Sequence, residues 1–390
     1  MEQLLCLHNA EIYTGTMNIP SGAVIVGNGK ILDVVGSNRL VKLNLPESTR
    51  FIDLKGSILC PGFIDSHIHG FGGYETSDAS DESILKISES LTEYGVTSFC
   101  PTIYTQEDRK FSACIKAGVR AVGREKGARI IGLHLEGPFI SRLQSGAQDA
   151  SALKEVDMER MRSYEKIGKG KITLITVAPE LKNMRELAIY CLKKGIILSA
   201  GHTDASYENM LEGMQAGIMH STHFFNAMRR LHHRDPGCIG AILIHPEISC
   251  EIIADGHHVH PALIKLLHRD KPLDKIVLVT DALGPTMQSE GHLMANGEPV
   301  YLEDEVFYRE SDNVMAGSSL TMIKGIENLV SWGIPLSDAI AMATTNPARI
   351  LGLDKDRGLI MPGHSADLTA FDEEFKILLT IVEGKIEYEL

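Results

Sequence analysis

Residues 61–69 read Pro61-Gly62-Phe63-Ile64-Asp65-Ser66-His67-Ile68-His69. The run is short and largely apolar, as a strand is, and strand side chains alternate faces, so His67 and His69 point the same way. Two imidazoles on one face, followed by Gly70-Phe71-Gly72-Gly73, make half of a divalent-metal site. Alone, the pair equally describes a solvated strand face. Seven further strand-like runs follow, at 96–102, 129–136, 172–178, 196–202, 218–224, 250–256 and 276–281. Helical patterns lie between them, among them 81–94, 182–194, 206–216 and 261–269, and Gly95, Gly195 and Gly217 stand where C-caps belong. Eight β-then-α units predict an α/β fold, a TIM-type (β/α)8 barrel spanning 58–349. A doubly wound open sheet is the alternative, but no Gly-x-Gly-x-x-Gly follows the first run.

The polar residues fall where a barrel would use them. His69, Glu136, His202, His223 and Asp281 sit at or beside the carboxyl ends of the first, third, fifth, sixth and eighth predicted strands. Those ends meet on one rim, where barrel enzymes keep their chemistry. Other histidines (His8, His232, His233, His268, His292, His364) show no such placement and are expected on the surface. Glu136 could otherwise be a helix N-cap or a surface acid; the apolar strand before it and the Gly137-Pro138 after it argue for the rim.

The flanks differ from the barrel. Residues 1–57 contain alternating runs around Gly27-Asn28-Gly29-Lys30, a β-hairpin pattern. Residues 350–390 return to strands and turns, so the two ends are expected to pair into one small β-sandwich domain. The stretch 285–314 is expected to be an irregular excursion after the eighth strand. With 44% hydrophobic and 23% charged residues, the chain is an ordinary globular protein. A net charge of −13 argues against nucleic acid or an anionic membrane as partner, yet leaves room for an anionic small substrate held by one arginine. Seven scattered cysteines without Cys-x-x-Cys suit reduced thiols and a cytoplasmic setting, and no signal peptide or membrane span is expected.

Longer motifs carry a resemblance. They are His134-Leu135-Glu136-Gly137-Pro138-Phe139, Ala200-Gly201-His202-Thr203, His223-Phe224-Phe225-Asn226-Ala227-Met228, Asp255-Gly256-His257-His258 and Val279-Thr280-Asp281-Ala282. With His67-x-His69, they make the chain, from about residue 20 to Leu368, resemble the metal-dependent amidohydrolase superfamily, and within it the N-acetylglucosamine-6-phosphate deacetylases. The resemblance implies hydrolysis of N-acetylglucosamine 6-phosphate to glucosamine 6-phosphate and acetate, in amino-sugar catabolism. Alternatives are another N-acyl amino sugar phosphate, such as N-acetylgalactosamine 6-phosphate, a cyclic amide, or a non-catalytic relative. The last is disfavoured because every expected ligand position is filled.

By resemblance, Glu136, His202 and His223 bind one ion, and His67, His69 and Asp281 a second, with Glu136 as a possible bridge. Such a donor set suits Zn, Fe(II), Mn or Co, one or two per subunit. Many amidohydrolases place a modified lysine at the end of strand four; here that strand runs into Thr176-Val177-Ala178-Pro179-Glu180. The resemblance further implies Asp281 as proton shuttle, His258 as donor to the acetyl carbonyl, and Asn226, the Ala227 backbone and Arg234 as phosphate contacts. Arg234 is expected to serve the neighbouring protomer of a homodimer, while Arg229 and Arg230 are expected to be surface charges and His257 and His260 bystanders. Where the family often reads Gly-Ala-His, this chain has Gly146-Ala147-Gln148, so Gln148 takes the substrate-facing position without the capacity for charge.

Overall fold

A computed structural model of the chain describes residues 4–288 and 293–390. Among the described residues, eight parallel strands follow the predicted runs: Phe63–Ile68, Val96–Ile103, Leu133–Glu136, Ile172–Val177, Ile197–Ala200, His220–Ser221, Ser249–Ile253 and Ile276–Val279. Neighbours in sequence are neighbours in the ladder throughout. The ring closes between the eighth strand and the first. There the buried Asp65 carboxylate accepts from Thr280 N at 3.3 Å and Thr280 Oγ1 at 2.5 Å, and Asp281 N donates to His67 O at 2.9 Å. Burial pushes the Asp65 carboxyl up to about 7 despite these bonds.

Amphipathic helices cover the outside. Asp108–Ala121 turns Phe111, Cys114, Ile115 and Gly118 inward and leaves charges outside, as a 3.6-residue period requires. Tyr207–Ala216 starts at a Ser206 capping box closed by Asn209 and stops at Gly217, whose φ of +105° ends the helix without a Cβ penalty. The predicted 81–94 helix is Asp81–Leu91 followed by a tighter turn, Thr92–Tyr94.

The chain ends form one eight-stranded sheet: Leu5–Tyr13, Asn18–Gly27, Lys30–Gly36, Arg50–Asp53, Ile58–Pro61, Leu368–Phe371, Ile377–Val382 and Lys385–Glu389. The predicted hairpin is present: Gly27 pairs with Lys30, and Asn28 and Gly29 take φ of +52° and +73°, the two-residue turn that matches strand twist. Ile58–Pro61 pairs with both Leu5–Tyr13 and Leu368–Phe371 and leads directly into the first barrel strand.

Two expectations fail. The described residues of the 285–314 stretch are not irregular: Leu293–Ala295, Glu298–Glu303 and Val306–Arg309 join Met315–Ser318 in an antiparallel four-stranded sheet over a small core of Leu293, Val300, Phe307 and Ala316. His364 is buried, not on the surface. It lies where the C-terminal segment crosses the hairpin: its backbone carbonyl accepts from Ile31 N and its Nε2 donates to Asp354 O at 3.2 Å. His292 falls outside the described residues.

Candidate metal centre and active site

Each rim residue owes its position to a strand end. Glu136 closes the third strand, whereas His202, His223 and Asp281 stand two residues beyond the fifth, sixth and eighth. These last three take φ of +47°, +27° and +52°, a left-handed turn that bends the chain sharply off the strand. Non-glycine residues adopt it at a cost of order 1–3 kcal/mol each, and such strain concentrates at functional sites.

The six candidate ligands are all buried and form two groups, His67 with His69 and Asp281, and Glu136 with His202 and His223. Nε2 of His202 and of His223 each lies 3.1 Å from Glu136 Oε1, and Nε2 of His69 lies 3.2 Å from Glu136 Oε2. Asp281 Oδ1 is 3.4 Å from His67 Nε2 and 3.3 Å from His69 Nε2. Donor atoms bound at about 2.0–2.2 Å to one ion stand roughly 3–3.5 Å apart, so these separations suit a cation within each group. The ring orientations suit it too. His67 Nδ1 donates to Glu251 Oε2 at 3.0 Å and His202 Nδ1 donates to the Gln144 carbonyl at 3.0 Å, which leaves Nε2 of each ring as the atom facing the ligand carboxylates. Burial would raise the Glu136 carboxyl, but hydrogen bonds from His202, His223 and His69 hold it well below its usual range. Asp281 is likewise held down, with His67 and His69 outweighing its burial.

Five of the six ligands, all but the fully buried His67, open onto a cavity of about 320 Å³, also lined by Gln148, Asn226, Ala227 and His258. Gln148 is engaged at both ends: Oε1 accepts from Thr105 N at 2.9 Å and Nε2 donates to Glu136 Oε2. His258 Nδ1 donates to Asp255 Oδ2 at 2.5 Å, and Asp255 Oδ1 accepts the His257 and His258 backbone amides at 2.9 Å each. Arg234 is not brought to this cavity; it is exposed, with Nη1 2.8 Å from His233 Nε2. Arg229 pairs with Asp235, Arg230 is exposed, and His257 and His260 are exposed, the latter capping a helix through Ala262 N. The fourth strand brings no lysine; Glu180 beyond it holds Thr203 Oγ1 at 2.6 Å and Asp204 N at 2.7 Å.

Sequence reading missed a buried layer under the ligands. Glu251 sits inside the barrel, and His134 bridges Thr102 Oγ1 at 3.2 Å and Thr176 Oγ1 at 2.8 Å. The signal for Glu251 was present: one acid within the otherwise uncharged run Ser249–Ile253. The excursion sheet was missed as well, and it supplies Asn296, Val314, Met315 and Ala316 to the cavity wall.

Comparison with known proteins agrees with this arrangement. The N-acetylglucosamine-6-phosphate deacetylase of Bacillus subtilis is 34% identical, over 100% of this chain and 98% of its own length. The N-acetylgalactosamine-6-phosphate deacetylase of Escherichia coli O157:H7 is 30% identical over 84% of this chain and 87% of its own. The crystal structure of N-acetylglucosamine-6-phosphate deacetylase from Pasteurella multocida superposes with a TM-score of 0.91 at 31% identity, covering 98% of this chain and 99% of that one. The sequence profile of the amidohydrolase family matches residues 58–386. With the profile spanning the barrel and a relative similar from end to end, the chain belongs to the amidohydrolase family.

Proposed function

We propose that the chain hydrolyses the acetamide of N-acetylglucosamine 6-phosphate to glucosamine 6-phosphate and acetate, in amino-sugar catabolism. The observation that carries the reading is the convergence of two buried His/carboxylate groups on one cavity, in a chain whose full-length relative bears that activity in its name. Glu136, His202 and His223 would hold one divalent ion and His67, His69 and Asp281 a second; Zn, Fe(II), Mn and Co all suit these donors. A cation held there supplies Lewis acidity, making water a better nucleophile and the amide carbonyl a better electrophile.

The chain's own groups do the rest. Asp281, anionic because its histidine neighbours outweigh its burial, takes the proton of the attacking water and returns it to the departing amine, which cannot leave as an anion. His258 faces the acetyl carbonyl. Its Nδ1–H is committed to Asp255, which fixes the ring and leaves Nε2 as the atom facing the developing oxyanion. Gln148 lines the cavity on the sugar side, and Asn226 and the Ala227 backbone line it where they would meet the 6-phosphate. We assign the 6-phosphate also to Arg234 of the neighbouring protomer in a homodimer, a reading supported by its exposure and its absence from the lining of its own cavity. Arginine fits because its planar fork matches phosphate oxygens. Among the described residues no helix is long and apolar enough to cross a membrane, and we place the enzyme in the cytoplasm on the strength of its free, buried cysteines.

Acetate release from metal-replete protein tests this. N-acetylglucosamine 6-phosphate is expected to give the highest kcat/KM, its 4-epimer less, and unphosphorylated N-acetylglucosamine at least tenfold less. That last factor follows because hydrogen bonds to a charged group contribute about 1.5–3 kcal/mol. Equal rates with and without the phosphate contradict the phosphosugar assignment, and preference for the 4-epimer moves the reading to the galactosamine substrate.

A further inference from the structure

Glu251 has no part in the chemistry above, yet it is held on both oxygens inside the barrel. It lies on the seventh strand, fully buried, and reaches across the barrel to the first. Four donors converge on it. Oε1 accepts from His220 Nε2 at 3.3 Å and from Ser66 Oγ at 3.4 Å. Oε2 accepts from His67 Nδ1 at 3.0 Å and from the backbone N of His223 at 3.2 Å. The two donors on Oε2 are the important pair: one belongs to a candidate ligand of each metal group. His67 is aimed by that bond through its ring, and His223, at a φ of +27°, is held in its strained turn through its backbone. Ser249 Oγ stands 2.7 Å from the far nitrogen of His220, so the Oε1 side is braced in turn.

We propose that Glu251 is a positioning residue that fixes the two metal subsites relative to one another, with its single oxygen Oε2 as the common tether. The proposal rests on the two-subsite reading. Two divalent ions bring four positive charges among Glu136 and Asp281, which bring two negative ones; a third buried carboxylate one ring away offsets part of the excess without occupying a coordination position. Carboxylates that hold metal-bound histidines in this way commonly change metal affinity by about 10–100-fold when removed. A purely structural Glu251, serving only to fasten the first strand to the sixth and seventh, would leave ion affinity untouched.

Glu251→Gln separates the two roles, because the amide keeps the shape but turns one acceptor into a donor facing an N–H. The full-length variant and the wild type are stripped with chelator and titrated with zinc against a chromophoric competitor, with circular dichroism on the same samples. The expected result is a folded variant whose weaker zinc step is lost or weakened about 10–100-fold. Two zinc steps within twofold of wild type overturn the role of Glu251 while leaving two subsites in place. A wild type that binds one zinc ion, with no effect of His67→Ala, overturns the two-subsite reading and the tether with it. Should Glu251→Gln not fold, the zinc-loaded wild type still decides: with ring-labelled histidine, a His67 ring N–H protected from solvent exchange is expected in NMR spectra, and a freely exchanging one overturns the tether.

Discussion

Burial alone would depress the imidazoles of His67 and His69. Instead the Asp281, Glu251 and Glu136 carboxylates push His67 up to about 9, and hydrogen bonds to Asp281 and Glu136 push His69 up to about 10. A chain stripped of metal therefore carries protons at neutral pH where a cation belongs, and a divalent ion has to displace them. Zinc affinity should rise with pH toward about 9–10 and weaken in acid. The stability of the stripped chain runs the other way. Both groups titrate above their unfolded value of about 6.5, so their contribution is complete below that pH and is lost as pH climbs through about 9 to 10. Calorimetric zinc titrations in buffers of different ionisation enthalpy should show proton release, and the stripped chain's Tm should fall over the alkaline window. A binding enthalpy independent of the buffer would mean that the carboxylates do not hold these rings protonated.

The barrel strands were legible because they are buried on both faces and read as continuous apolar runs, with helix-ending glycines marking their spacing. Their ligands were legible for the same reason: a polar residue at the end of such a run has nowhere to go but the rim. The excursion sheet gave no such signal. In Glu298–Glu303 only Val300 is buried, and the three-residue Leu293–Ala295 is too short to show a period. Glu251 was hidden differently, since its partners lie on distant strands and only the closed ring brings them together. The sheet nevertheless shapes the site. Arg309 Nη1 donates to Ala147 O at 3.2 Å, joining it to the loop that carries Gln148, and Phe307 fills its core. Phe307→Ala should cost about 3–5 kcal/mol of packing, confined to this separate cluster. KM should rise several-fold with metal content unchanged, and hydrogen exchange should speed up across 293–318. An unaltered KM would deny the sheet its place in substrate binding; lost metal would extend its influence to the ligands.

At the scale of the whole molecule, the placement of Arg234 has consequences for assembly. An acidic protein of net charge −13 needs a dedicated cation to hold a phosphate, yet Arg234 stands exposed beside the exposed Leu231, away from its own cavity, whose mouth carries the exposed Leu143. Apolar side chains on the arginine loop and at the cavity mouth are what a two-fold interface would cover, each loop reaching the other subunit's site. The arrangement makes complementation possible. Chains bearing Arg234→Ala and chains bearing Asp281→Asn are each expected to be poor, the first in KM and the second in kcat. In a hybrid dimer, purified through two different tags, the Arg234→Ala chain keeps its own Asp281 and receives Arg234 from its partner. One of the two sites is then complete, so the hybrid should regain roughly half of the wild-type kcat/KM per dimer. An arginine serving its own subunit predicts no recovery, because every site in the hybrid then lacks one of the two groups. Recovery that vanishes on dilution, in step with dissociation followed by light scattering, would tie the rescued activity to the dimer itself.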